Sequence, residues 1–364
     1  MKIFKRVFLL SIFILFVLVL FIKFDTPAAA EFTDNVLRPV FGNQAVVFVE
    51  KIFYNLSDKA QQLTSHDNLI SPQFTDDSSS STISASRLNT NPISQHYFPL
   101  SKNENVWKYK TLKLFPDQGV MAYTYVRPDP DRPYASVTII QIDMRAIKMS
   151  TVAGKKEPAG KVGKPGPGVI PQDIIDSNNL VAAFDGGFQY RDGQYGMIVG
   201  DTTYLPLKPD LGTLIGYHDG TLKIVNYNGQ ELGSNIDFIR QNCPILINNG
   251  EMSVLKPKNK ALWGRTLTSD IYTWRSGIGL TPEGNLLFAV GNNLTPVTLA
   301  EALKMAGANS AIQLDINPYW VRFNFFDPLG NGKYLSSTLT KQLYDGSKQY
   351  LSGYNKDFFY LYKK

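Results

Sequence analysis

From about residue 96 the chain runs in short apolar segments broken by turn formers, and that rhythm constrains the fold more than any single motif. GVMAYTYV (119–126), ASVTIIQIDM (135–144), TLKIVNY (221–227) and NLLFAVG (285–291) are rich in β-branched and aromatic residues, with Gly, Pro, Asn and Asp between them. Such side chains fit a pleated, half-buried surface, so each run predicts a strand. YHDGTLKI (217–224) and TPEGNLLF (281–288) place a Gly-containing turn between two such runs, which predicts hairpins. Helical spacing is rarer. PQDIIDSNN (171–179) opens with Pro and early acids. TPVTLAEALKMAGANSA (295–311) offers Thr295 or Thr298 as a cap, one apolar face at Leu299, Ala302, Leu303 and Ala306, and Gly307 to end it. The expected class is α+β: a mixed, largely antiparallel β-sheet core with a few packed helices. A 364-residue chain that is 43% hydrophobic can bury such a core.

The N-terminus reads differently. Lys2, Lys5 and Arg6 precede the apolar run VFLLSIFILFVLVLFI (7–22), a membrane-targeting pattern. The run is shorter than the roughly 20 residues of a comfortable span. Two readings stay open for residues 1–30. Ala28 and Ala30 supply the small-x-small pattern of a cleaved signal peptide, whereas Phe4, Phe24 and a snorkelling Lys23 extend the run into an anchor. Either way the remainder is exported, membrane-anchored or secreted. Val46, Val49, Ile52 and Phe53 stand near helical spacing, which predicts a membrane-proximal amphipathic helix over 31–56. Residues 57–95 are polar and Ser-rich, the composition of a flexible stalk, and the folded domain is expected over 96–364.

A net charge of +6 favours anionic surroundings, but Lys and Arg are scattered and do not form the basic, aromatic-interleaved stripe of a nucleic-acid binder. Cys243 is alone, so no internal disulfide forms, and it is read as a small buried hydrophobe. The three histidines, His66, His96 and His218, fall in the stalk, at the domain edge and in a hairpin turn, which gives a His triad or zinc site no host. Carboxylates and arginines are left for any chemistry.

Three stretches could carry it. In LVAAFDGGFQYRDGQYG a buried strand ends in Asp185, and Gly186 and Gly187 let the backbone turn tightly or approach a ligand closely. In TWRSGIG, Arg275 could grip a phosphate or carboxylate with its fork, or form an ordinary ion pair, and Ser276 leaves room beside it. In LDINPYW, Asp315 sits at the carboxyl end of a strand that follows a helix, where polar groups face a crevice, or it merely caps a turn. Arg240, Asn242, Asn248, Asn249 and Glu251 surround one further strand as sugar hydrogen-bonders or turn formers.

Taken in order, a strand ending in FDGGF, then RSGIG, then the TLAEALKMAGA helix feeding a strand that ends in LD resemble the phosphodiester glycosidase family over roughly residues 135–362. Asp185 stands where the family's N-G-G-F-F turn has Asn, and RSGIG is similar to R-T-A-I-G. LDINPYW matches the family's L-D-G-G-G-S only through Leu314 and Asp315, as in a bacterial subgroup with its own LDIN signature. The resemblance implies an exported hydrolase cleaving a glycosyl-1-phosphodiester or related phosphate-bearing envelope glycan. Under it Asp185 and Asp315 form the acid/base or nucleophile pair, Arg275 binds phosphate, and Gly186, Gly187, Ser276, Asn317, Arg240 and Asn249 line the substrate. A carboxyl separation of about 5 Å would mean retention of configuration, and roughly 6.5 to 9.5 Å inversion. No cofactor is required; a divalent ion among these Asp and Asn oxygens would be Ca2+. The alternative is a non-catalytic envelope protein that binds anionic polysaccharide.

Overall fold

The computed structural model describes residues 29, 32–64, 69–72, 86–160, 162–255 and 272–364. The apolar run 7–22, the two candidate cleavage alanines' segment except Ala29, and much of the expected stalk lie outside the described residues. The chain forms two compact units, 1–57 and 58–364. In the first, a π-helical turn Thr33–Leu37 and a single helical turn Arg38–Phe41 lead through Gly42 into helix α1 (Asn43–Thr64). Arg38 pairs with Glu50 there at 2.9 Å. Among the described residues no helix is long and apolar enough to cross a membrane.

The second unit begins earlier than the composition suggests. Helix α1 runs past residue 57 to Thr64, and Asp58 is buried against Arg132 and Tyr134, whose phenol donates to it at 2.8 Å. Ile70, Leu88 and Ile93, apolar residues in a largely polar stretch, are buried in the core. At its described positions, then, 57–95 is partly built into the domain rather than a stalk. The reason is that a few apolar anchors suffice to order a chain that averages as polar.

The strands are β1 (Lys108–Tyr109), β2 (Met121–Val126), β3 (Val137–Ile142), β4 (Ile147–Val152), β5 (Leu180–Asp185) and β6 (Met197–Val199). Next come β7 (Thr202–Leu205), β8 (Leu211–Tyr217), β9 (Leu222–Tyr227), β10 (Ile236–Gln241), β11 (Ile247–Asn248) and β12 (Glu251–Met252). The last are β13 (Thr273–Leu280), β14 (Leu286–Leu294), β15 (Ser310–Ile316), β16 (Phe323–Gly330), β17 (Lys333–Thr338) and β18 (Phe358–Lys363). They make three sheets, ordered β1-β2-β3-β14-β13-β15-β11-β12, β7-β6-β10-β8-β9 and β17-β16-β5-β18-β4. Every described pairing is antiparallel, including the two expected hairpins β8-β9 and β13-β14.

Helices α2 (Gln172–Asp176), α3 (Tyr190–Gly193), α4 (Pro296–Met305) and α5 (Ser347–Ser352) complete the unit. The α4 start is the expected one: Thr295 and Thr298 cap each other reciprocally, a device worth about 1 kcal/mol. Strand β3 is buried along its whole length because both faces of the first sheet are covered. Its Val137 and Ile139 lie in one cluster with Leu299 and Leu303 of α4, whereas Ile140 and Ile142 join the other two sheets in the central core. Phe184 is the hub of that core, stacked on Phe323 at 5.5 Å and tilted against Phe288 and Phe359. Aromatic packing thus fixes the third sheet to the first directly beneath Asp185.

Candidate active site

The pairing register decides which residues meet. Phe358 lies opposite both Asp185 and Val152, and Phe323 opposite Phe184. The carboxyl ends of β4 and β5 and the amino ends of β16 and β18 therefore share one edge of the third sheet. That edge carries Glu157, Asp185, Arg322, Lys356 and Asp357. Asp315 arrives from the first sheet near the end of β15, and Asn242 and Arg240 from the end of β10 in the second. Three sheets converge on one charged cluster.

Its acids are Asp185, Asp315 and Asp357, at 2%, 3% and 0% exposure. Each faces a cation. Arg240 grips Asp357 from Nε at 2.8 Å and Nη2 at 3.1 Å. Lys356 Nζ donates to Asp315 Oδ1 at 2.9 Å and lies 2.7 Å from Oδ2. Arg322 Nε stands 3.7 Å from Asp185 Oδ2, and the phenols of Tyr350 and Tyr354 donate to the two Asp185 oxygens at 2.5 and 2.9 Å. Lys356 also donates to Gly187 O at 3.3 Å, so one ammonium joins the turn after Asp185 to the carboxylate of Asp315.

Asn242 fixes the distance between the two acid-bearing elements. Its Oδ1 accepts from Phe188 N–H at 3.0 Å, and its Nδ2 donates to Gln313 O and Leu314 O at 2.8 and 3.2 Å. Ser276 Oγ donates to the carbonyl of Asp315 at 3.0 Å and holds that residue from the neighbouring strand. Buried side chains with every polar atom engaged leave little freedom, which is what positions an acid.

Burial pushes the Asp315 carboxyl well above the usual carboxylate range, the Lys356 ammonium opposing this and Asp185 reinforcing it. Asp185 is raised by the same cause, with Arg322, Lys356 and the two phenols pulling the other way. For Lys356, burial works to lower the pKa but Asp315, Asp185 and Asp357 outweigh it, so the amine is held protonated. Glu157, half-buried beside Lys356 and Asp357, is also raised by burial while Tyr190 N–H donates to it at 2.8 Å.

The sequence-predicted residues fall into two sets. Asp185, Gly186, Gly187, Arg240, Ser276 and Asp315 converge as described. Asn317, at φ 76°, starts the turn that leaves β15, its N–H donating to Trp274 O at 3.0 Å. Arg275 is fully buried; its Nε donates to Leu294 O at 2.7 Å and its Nη1 to Gln313 Oε1 at 3.0 Å, and burial pushes it down to about 10. The cations against the acids are instead Lys356 and Arg322. Asn249 sits in the β11-β12 turn, where Gly250 N–H reaches Asn309 O at the start of β15, the end opposite Asp315.

The glycines serve a different neighbour from the one the sequence suggests. A Cβ on Gly186 would collide with the carboxylate of Asp357, and one on Gly187 would stand 2.7 Å from Arg240 Nη2. The close approach is to an internal ion pair, whose partners lie far away in the chain. The sequence alone does not single out Lys356, Asp357, Arg322, Tyr350, Tyr354 or Glu157. The signal available was RFNFF and NKDFFYLY, charges set at the mouth of strongly apolar strands, where a buried charge needs a partner. Among the described residues no group of three or more His, Cys, Asp or Glu is arranged to hold a metal, and each acid of the cluster already faces a cation, which does not suit Ca2+.

Two surface hollows, of about 410 Å3 beside His218 and about 220 Å3 beside Lys102 and Thr124, share no residue with this cluster. The cluster itself is covered. The ring of Trp320 lies 4.8 Å from Lys356 Nζ, and Tyr319 and Tyr344 stack 4.3 and 4.9 Å from the Arg322 guanidinium.

A buried acid pair with its own cations thus stands at the meeting of three antiparallel sheets. Residues 178–315 match the model of the phosphodiester glycosidase family, the stretch that holds Asp185, Arg275 and Asp315. Among solved structures the chain is similar to the catalytic domain of zebrafish N-acetylglucosamine-1-phosphodiester alpha-N-acetylglucosaminidase auto-inhibited by its pro-peptide. Identity is 13% and the TM-score 0.40, over 71% of this chain and 88% of that one. It is also similar to a hypothetical protein from Synechocystis, at 12% identity and a TM-score of 0.37, over 68% of this chain and 63% of that one. No curated protein matches the chain.

Proposed function

We propose that this protein is an exported hydrolase, anchored or released by its N-terminus, that cleaves a glycosyl-1-phosphodiester or a related phosphate-bearing envelope glycan. The observation that carries the reading is Lys356: one buried ammonium bonds the carboxylate of Asp315 and the carbonyl of the turn that follows Asp185. Two acid-bearing segments far apart in sequence and borne by different sheets are thereby tied to one cation. The family match over residues 178–315 supports a phosphodiester glycoside as the substrate class.

The environments divide the roles. Asp185 accepts from two phenols and faces a guanidinium, contacts that favour its anion in the reacting complex. Asp315 accepts from no phenol, faces the Lys356 ammonium, and is pushed well above the usual carboxylate range by burial. Asp185 therefore acts as nucleophile or base at the anomeric carbon, and Asp315 delivers its proton to the bridging oxygen of the departing phosphate. The bond from the anomeric carbon to the bridging oxygen breaks, the oxygen of water ends on that carbon, and a phosphomonoester leaves. Arg275 acts through Gln313, two residues before Asp315 on the same strand.

The test is release of free sugar from a panel of glycosyl-1-phosphodiesters by the purified full chain in detergent. Release that disappears in Asp315→Asn supports the reading, and no release from any member overturns it. One observation favours a second reading, a binder of anionic polysaccharide without turnover: the acids are almost sealed under Tyr319 and Trp320. Retention of envelope polymer with no sugar released would establish it.

A further inference from the structure

We infer that the substrate's phosphate is held by Lys356 and Arg322 together, in a buried anion site beside the two acids, rather than by Arg275. This rests on the hydrolase reading for its ligand class, a phosphate ester of a sugar. Arg322 is 1% exposed and boxed by aromatic rings, with Tyr354 at 5.0 Å joining Tyr319 and Tyr344. Its Nε donates to Tyr319 O at 2.9 Å and its Nη1 to Gln349, yet its Nη2 is buried without a hydrogen-bond partner. Buried guanidinium donors are rarely left unmade, because the full desolvation cost is then unrecovered.

A second orphan lies in the same cluster. Asp315 Oδ2 is buried and accepts no hydrogen bond of acceptable geometry, although Lys356 Nζ is near. One unused donor and one unused acceptor call for a ligand that carries both kinds of group. A sugar phosphate does: its phosphate oxygens suit Arg322 Nη2 and the Lys356 ammonium, and a sugar hydroxyl suits Asp315 Oδ2.

Charge is compatible with an anion. Asp185, Asp315, Asp357 and the half-buried Glu157 face Arg322, Lys356 and Arg240, four acids against three cations. Burial favours protons on Asp185, Asp315 and Glu157, and once two of these acids are protonated one positive charge stands unanswered. A bound anion then restores neutrality. Arg275, by contrast, already spends its donors on Leu294 O and Gln313 Oε1.

The experiment uses the purified full chain with inorganic phosphate as probe, read by calorimetry and as competitive inhibition of sugar release. Wild type is expected to bind phosphate, and Lys356→Met and Arg322→Lys each to weaken it by about tenfold or more, raising KM in step. Arg275→Lys is expected to change phosphate affinity by less than about threefold. If Arg322→Lys does not fold, Lys356→Met against Arg275→Lys decides alone, with far-ultraviolet circular dichroism as the folding control. Sugar release by wild type with phosphate affinity unaltered in the Lys356 and Arg322 variants, or lost in Arg275→Lys instead, overturns the site and leaves the hydrolase reading standing. Phosphate bound through Lys356 with no phosphodiester hydrolysed overturns the hydrolase reading and leaves the anion site.

Discussion

Lys356 and Asp357 are neighbours in the chain, both are buried, and each forms an ion pair across the sheets, but the two pairs are built differently. Asp357 takes two donors from Arg240 and the N–H of Gly187, and Arg240 spends its remaining donors on Tyr195 O, Gln241 O and Phe188 O. That pair is saturated. Lys356 and Asp315 have fewer partners, and one Asp315 oxygen has none of proper geometry. Equal burial with unequal satisfaction separates a structural pair from one left incomplete for a ligand.

Removing one charge from each pair sets the contrast to its hardest test. Asp357→Asn strands the Arg240 guanidinium in a dry interior and should cost about 3–5 kcal/mol of stability, seen as a large fall in the urea midpoint. Asp315→Asn also leaves a buried ammonium, Lys356, without its anion, but it removes a carboxyl that burial already disfavours, so it should cost less than Asp357→Asn while lowering kcat by about 10²–10⁴. Equal destabilisation by the two substitutions would erase the distinction.

Protonation gives the next effect. Asp185, Asp315 and Glu157 are all raised in the folded state by burial. The folded chain therefore binds these protons more tightly than the unfolded one. Their contribution is fully present below the ordinary carboxylate pKa, about 4, and is lost as pH rises through the higher folded values. Thermal midpoints between pH 4 and neutrality should thus fall more steeply with rising pH in wild type than in Asp315→Asn. Parallel curves for the two proteins would show that Asp315 ionises in the fold as easily as in water.

The architecture was legible because its signals are local. Alternating apolar runs, two Gly-containing turns and a Thr-capped helix specify elements within a dozen residues, and all of them formed. The placement of Asp185 and Asp315 was legible too, since each lies at the end of a buried strand beside a turn. Their cations were not. Arg322 and Lys356 reach the site through the register of β16 and β18 against β5, a long-range pairing that no local pattern encodes. The glycines show the limit most plainly: GG announces that something comes close, and only the fold says that it is Asp357 and Arg240.

Trp320 sharpens the comparison from the side of the incomplete pair. It follows the LDIN stretch of residues 314–317, and its half-buried ring covers Lys356. Trp320→Ala would let water reach Asp315 and lower its pKa toward the ordinary range, since burial is the leading cause of the rise. The limb of the pH–rate profile that reports the proton donor should move to lower pH, with less than about tenfold lost in kcat at its optimum. Trp320→Phe should restore most of the shift. A profile unchanged in the alanine variant would mean that the ring does not keep the pair dry.

The smallest effect is expected at the far end of β15, where Asn249 takes φ 52° in an exposed turn followed by Gly250 at φ 77°. Asn tolerates the left-handed region because its short polar side chain can bond locally, whereas Ala there costs about 1 kcal/mol. Asn249→Ala should lower the thermal midpoint slightly and leave KM for a glycosyl phosphodiester within about twofold, because nothing links this turn to the acids except the length of a strand. A rise in KM without a change in melting would bring the hairpin into the substrate's reach, and the contrast between the two ends of β15 would then be one of subsites instead of one of site and scaffold.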